Sequence, residues 1–305
     1  MLLGGCGGGG NSSDGGGAVV RIGSPTSFGA TPTPPATPSA PPEVDLSAER
    51  IYQAGTALVS LVSPAQDAVS GVANFIGRSY PLTQGQRSIY AFVAAGPDDA
   101  AGVQKLSVDF VLKSGSKGTV TSTIEVLKTN WTQDAVIVPA SLLPLTTERA
   151  SNAEVAQLGE FYGKTSGEKL WQQGWHVPVE GPITTRFGEE RSYNGGPITG
   201  HHLGTDLGAN DGTPIAVTNG GRVVMARQLQ LRGNMVIVDH GGGVFSGYAH
   251  MKSFAVAEGQ AVNQGDLLGY VGSTGLSTGA HLHWEIAVGG VLVDAYRFVD
   301  GSNGF

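Results

Sequence analysis

Seven histidines stand in the chain, at positions 176, 201, 202, 240, 250, 281 and 283, and six of them fall between 201 and 283. Imidazole is the commonest metal ligand and the side chain whose charge changes nearest neutral pH, so this cluster points to metal binding, proton transfer or both. A lone histidine is more often a hydrogen-bonded core or surface residue; six in one window weaken that reading. Two spacings carry geometry. His202 and Asp206 are four apart, which puts an imidazole and a carboxylate on one face of a strand or of a helical turn. His281 and His283 are two apart, so in a strand both point to the same side. A zinc ion that does chemistry takes three N or O protein ligands and keeps a fourth position open. A His-Asp-His set drawn from these residues supplies them, with one or two histidines left over. Spacing alone does not choose between His281 and His283. A closed four-ligand structural site is less attractive, because Cys6 has no second cysteine to join it.

The elements that must position these residues read as β structure. From Trp175 onward, runs such as Arg222-Val223-Val224-Met225, Met235-Val236-Ile237-Val238 and Leu267-Leu268-Gly269-Tyr270-Val271 are separated by glycines, and no long helical period appears after 165. An antiparallel β-sheet domain is therefore expected over 176–305 rather than an α/β enzyme. Ahead of it the period is also 2. Leu106, Val108, Phe110 and Leu112 alternate with Ser107, Asp109, Val111 and Lys113; Ser114-Gly115-Ser116-Lys117-Gly118 turns the chain, and Val120, Ser122, Ile124 and Val126 return. With further short apolar runs, this predicts a small immunoglobulin-like β-sandwich over 46–140, with no catalytic constellation of its own. Over the connecting segment 141–175, Ser151-Asn152-Ala153-Glu154 has the spacing of a capping box. It predicts a short helix near 152–163 carrying Val155, Leu158 and Tyr162 at helical spacing.

Residues 1–45 differ in composition. Gly7 to Gly17 is almost wholly Gly, Ser, Asn and Asp, and Ser24 to Pro42 is rich in Pro, Ala and Thr. Such tracts bury too little apolar surface to offset backbone entropy, so a disordered tether is expected there. Over the whole chain glycine is 48 of 305 residues without a collagen period, charged residues are 14%, and the formal net charge is -7. That charge argues against a nucleic-acid partner, which would need a basic excess. The opening Met1-Leu2-Leu3-Gly4-Gly5-Cys6 resembles a bacterial lipobox, in which the cysteine becomes the lipidated first residue. Five residues are too few for a signal peptide, so an upstream start is expected, with the protein held to a membrane through a lipid on Cys6.

Three segments together carry a family resemblance. Residues 200–208 read GHHLGTDLG, 247–251 read GYAHM and 272–285 read GSTGLSTGAHLHWE. In that order they resemble the HxGxD, YxH and GSTGxSTGxHLHWE signatures of lysostaphin-type, LytM-like zinc endopeptidases, and the likeness extends over roughly 176–300. The resemblance implies a zinc-dependent endopeptidase that hydrolyses the peptide cross-links of bacterial peptidoglycan in the cell envelope. It implies His202, Asp206 and His283 as ligands of one zinc ion, and His250 and His281 as the catalytic pair. His202 rather than His201 fits the register, since it is followed by Gly at +2 and Asp at +4. Ala280 departs from the proline usual before His-Leu-His. Glu285, two beyond His283 on the same strand face, reads either as an orienting partner for an imidazole or as a solvated rim residue. The alternative function is a non-catalytic module that grips peptidoglycan peptide stems and activates another hydrolase; intact chemical positions favour the enzyme.

Overall fold

The computed structural model describes residues 40–303, apart from 165, 166 and 173. Cys6 and residues 1–39 of the tether expected over 1–45 lie outside the described residues; the end of that stretch is not tether, because Glu43–Leu46 forms a strand paired antiparallel with Thr56–Val62. Those described belong to one compact unit and are mainly β-strand, as the periodicity predicts.

The first part is a sandwich. Thr56–Val62 and Ile89–Ala94 form the middle of a four-stranded antiparallel sheet. The hairpin Gly102–Leu112 and Lys117–Leu127 forms the centre of a five-stranded one, with Leu106 opposite Ser122 and Val108 opposite Val120. Alternate residues of both sheets, among them Val59, Leu61, Ile89, Phe75, Leu106, Val108 and Ile124, close a single core. Ile89–Ala94 shows why a run without clean alternation is still a strand. Ile89, Ala91 and Val93 face the sandwich core, while Phe92 and Ala94 face a second core shared with Trp171 and Trp175.

The second part is an antiparallel sheet in the order Ile183–Thr185, Thr205–Gly208, His281–Val288, Val244–Phe254, Asn234–Asp239, Gly221–Gln228, with shorter strands attached. Its two faces are distinct. Leu282, Trp284 and Ile286 point to one side, into the core with Tyr248 and Leu207. The intervening residues of the His281–Val288 strand point to the other, where Phe245, Ala249, Met235 and Ala287 meet Leu158 and Tyr162. Those last two come from a helix, α1, which spans Glu148–Tyr162 and covers this second face.

α1 begins four residues earlier than the expected helix. The capping residue is Thr147, whose hydroxyl accepts from the Ala150 backbone N–H; Ser151 and Glu154 lie inside the helix and make no capping box. Val155 also leaves the expected apolar face and is 41% exposed. The buried stripe is Glu154, Leu158 and Tyr162, spaced i, i+4, i+8, so a carboxylate occupies a position that the hydrophobic pattern assigns to the core. A small third sheet places Gln133–Val136 parallel to Glu190–Tyr193, which pairs in turn with Ile198–His201.

Candidate metal centre

Register brings the chemistry-bearing residues together. Thr205–Gly208 pairs antiparallel with His281–Val288 so that Asp206 lies opposite His283, and Ala249 lies beside His283 on its other flank. His250 follows Ala249 at a register irregularity of its strand, with a left-handed φ of 58°. An extra residue there turns two successive side chains toward one side, so His250 reaches the site face instead of the core behind it. His202 enters from the segment just before the Asp206 strand.

The three donor atoms are close. His202 Nε2 lies 2.8 Å from His283 Nδ1 and 3.0 Å from Asp206 Oδ1, and His283 Nδ1 lies 2.8 Å from that same oxygen. All three residues are buried, and this His-Asp-His triangle is a group able to hold a metal ion. His250 and His281 stand alongside. Their rings are 4.8 Å apart, and His250 is 5.7 Å from the His283 ring.

Backbone carbonyls fix the tautomers, since a carbonyl can only accept. Nδ1–H of His202 donates to Arg186 O at 2.9 Å, leaving Nε2 with its lone pair toward the triangle. His250 and His281 likewise donate from Nδ1 to Thr274 O at 2.8 Å and to Gly279 O at 2.9 Å, which leaves their Nε2 atoms as acceptors. His283 is reversed. Its Nε2–H donates to Glu285 Oε1 at 2.9 Å, so Nδ1 is the nitrogen that faces the triangle.

Electrostatics suit a cation. Burial alone would raise the Asp206 carboxyl, but the His202 and His283 imidazoles outweigh it and hold the group well below its usual range, ionised. Burial pushes His202 down to about 4, and pushes His250 well down, with His281 and His283 adding to the effect; both are neutral at pH 7 and keep their lone pairs. For His283, burial favours the neutral ring, yet the Asp206 and Glu285 carboxylates prevail and raise it. Two neutralisable imidazoles and one carboxylate, converging within hydrogen-bonding distance on a buried point, are the donor set of a zinc ion with one open position.

Of the outer partners, Glu285 lies on the central sheet itself, and the others come from outside its strands. Asp206 Oδ2 meets Arg191 Nη2 at 3.2 Å, and Arg191 Nε meets Asp134 at 3.2 Å. Glu285 is fully buried rather than a rim residue; besides His283 it takes Arg232 Nε at 2.6 Å and the Tyr162 hydroxyl at 2.8 Å. No local sequence signal ties Arg232, Tyr162 and Glu154 to the site, because their partners lie 53 to 123 residues away; Glu154 and Tyr162 read only as parts of a capped helix. A cleft of about 590 Å³ opens over the triangle, walled by 134–138, Thr147 and Val155 on one side and Leu276, Ser277 and Thr278 on the other.

The remaining histidines are elsewhere engaged. His201 bonds Gly188 O and Asp98, and its ring packs beside Trp131. His240 is a core residue between Gly220 O and Ser246 Oγ, and His176 is exposed.

Residues 200–295 match peptidase family M23. Peptidoglycan DD-endopeptidase ShyA of Vibrio cholerae is 35% identical over 150 residues, 48% of this chain and 34% of the relative. Murein hydrolase activator NlpD of Escherichia coli K12 is 34% identical over 126 residues, 41% of this chain and 31% of the relative. The matches thus span about a third of the length of these curated relatives. A crystal structure from Pseudomonas aeruginosa, described as an M23 peptidase, is similar with a TM-score of 0.59 at 24% identity, covering 81% of this chain and 94% of that one. At that identity the likeness speaks to the fold, over a span longer than the family match. The His-Asp-His triangle thus lies wholly within the residues, 200–295, that match peptidase family M23.

Proposed function

We propose that this protein is a zinc-dependent endopeptidase that hydrolyses peptide cross-links of bacterial peptidoglycan, with one zinc ion held by His202, Asp206 and His283. The observation that carries the reading is the donor triangle, with edges of 2.8 to 3.0 Å, lying beside the paired rings of His250 and His281 under an open cleft. Zinc, when bound, supplies Lewis-acid polarisation of the scissile carbonyl and of the attacking water. The chain's own part is positional and protonic. One of His250 and His281 takes a proton from the attacking water at Nε2, and its partner, in the form that carries a proton on Nε2, steadies the developing oxyanion or gives that proton to the leaving amine. Water is thereby added across the C–N bond: hydroxyl to the acyl carbon, proton to nitrogen. The low-lying pKa of His250 keeps it a base at neutral pH.

Similarity to ShyA, a peptidoglycan DD-endopeptidase by name, supports the substrate class. Similarity to NlpD, by name an activator, supports the second reading, in which the domain binds wall peptide without cutting it. The two separate in one experiment: digestion of purified cross-linked muropeptides with no other hydrolase present, followed by mass spectrometry. Peptidoglycan places the protein in the cell envelope, and the Leu-x-Gly-Cys start supports anchoring through a lipid on Cys6. We assign the peptidase role to 176–305, with 46–140 as a β-domain that spaces or docks it and 141–175 as their connection.

A further inference from the structure

We infer that α1, which precedes the family-matched residues 200–295, is a working part of the metal centre: Glu154 and Tyr162 act through Arg232 and Glu285 to fix the orientation of His283. The inference rests on the proposed zinc site and goes beyond it.

The chain of contacts is continuous and buried. Glu285 Oε1 accepts from His283 Nε2 at 2.9 Å and from Arg232 Nε at 2.6 Å, while its Oε2 accepts from the Tyr162 hydroxyl at 2.8 Å. Both carboxylate oxygens are thus engaged, which leaves Glu285 a single orientation and sets the plane and tautomer of the His283 ring. Arg232 is held in turn by Glu154, whose Oε1 accepts from the Arg232 backbone N–H at 3.0 Å and Nη1 at 3.1 Å, and whose Oε2 accepts from Leu231 N–H at 2.6 Å. The same turn reaches the other half of the site, because the carbonyl of Arg232 accepts from the His250 backbone N–H at 2.8 Å. One helical side chain, Glu154, therefore steadies both a donor of the triangle and a member of the histidine pair.

Simple stapling of α1 to the sheet would not require this composition. Leu158 already packs against the same face, and a buried ion pair is a weak source of stability beside apolar packing. Of the buried set, the Glu285 carboxylate is the group that faces His283 Nε2, and Arg232 stands between it and Glu154. Carboxylate behind a metal-binding imidazole raises its basicity as a ligand and fixes its ring, and losing such a partner typically costs roughly 10- to 100-fold in metal affinity or activity.

The test uses the full chain with three near-isosteric or charge-conserving changes, Tyr162→Phe, Glu154→Gln and Arg232→Lys, and Leu158→Ala as a packing control on the same helix. Zinc dissociation constants are measured by chelator competition, unfolding temperatures on zinc-free protein, and kcat and KM on a muropeptide; cobalt(II) absorption reports ligand geometry. We expect zinc binding weakened roughly tenfold or more in all three polar variants, an altered cobalt spectrum, and loss in kcat with KM held. Leu158→Ala should lower the unfolding temperature and leave the zinc constant unchanged. Wild-type zinc constants in Tyr162→Phe and Glu154→Gln, or an equal loss in Leu158→Ala, would overturn the inference. A wild type that binds zinc and cuts nothing removes the hydrolase reading alone, since the zinc constants still decide this one.

Discussion

Gly204 offers a sharp perturbation of the centre, because its role is steric. Its φ is outside the left-handed region, so backbone freedom is not why a glycine stands there. A Cβ at 204 would lie 2.6 Å from both Cε1 and Nε2 of His283 and 2.8 Å from the carbonyl oxygen of Trp284. Ordinary contact begins near 3.4 Å, leaving a shortfall of about 0.8 Å. The Trp284 carbonyl belongs to a strand paired with Thr205 and cannot retreat, so the ring must. Metal-ligand distances tolerate about 0.2 Å, hence Gly204→Ala costs the site one of its three donors and stretches the bond to Glu285. We expect zinc affinity to fall on the order of 100-fold, equivalent to about 2.7 kcal/mol, with a further overpacking cost of roughly 1–3 kcal/mol in the stability of zinc-free protein. Chelator competition and thermal unfolding measure the two separately. Gly279→Ala is the control: it lies in the loop beside His281, and its added Cβ meets nothing within 4 Å. If Gly204→Ala bound zinc as tightly as wild type and kept its turnover, the steric account of this glycine and the placement of His283 would both be refuted.

Other consequences are equally open to measurement. His202→Ala, Asp206→Ala and His283→Ala should each lose zinc in metal analysis, whereas His250→Ala and His281→Ala should keep it and lose on the order of 10²-fold or more in kcat; zinc loss in either of the last two would mean that the ligands are misassigned. Burial pushes His240 down to about 4 from the model-peptide 6.5, so the folded chain excludes a proton that the unfolded chain takes up. Its contribution is whole above pH 6.5 and drains away as pH falls toward 4, on the order of 3 kcal/mol in total. Urea midpoints of zinc-free wild type should therefore drop more steeply over that window than those of His240→Gln, and parallel profiles would contradict this. If Cys6 carries a lipid, expression from an upstream start should place wild type with membranes and Cys6→Ser in the soluble fraction; equal partitioning removes the anchor.

How much of this was legible in the sequence follows from the range of each interaction. The hairpin of Leu106 to Val126 was readable because alternation over neighbouring residues is a direct image of one buried face. His281 and His283 were readable as a same-face pair for that reason, and the three Gly- and His-bearing segments carried the family resemblance. What the chain closes over long separations was not. The Ser151–Glu154 spacing has the form of a capping box, but tertiary contact with Leu231 and Arg232 claims Glu154, and Thr147 caps the helix instead. Glu285 could not be told from a rim residue until Tyr162 and Arg232 closed over it. His250 falls on the core side of a regular strand, and only a register irregularity with a left-handed residue turns it to the site.

The central claim is that this centre cuts peptide bonds of the wall, and the most direct test is mass spectrometry of purified cross-linked muropeptide dimers incubated with the zinc-loaded full chain alone. Dimers should become monomers with one water gained per cut, in wild type and not in His283→Ala or His281→Ala. Dimers that stay intact with zinc-replete wild type, or that are cut equally well by His283→Ala, would contradict it.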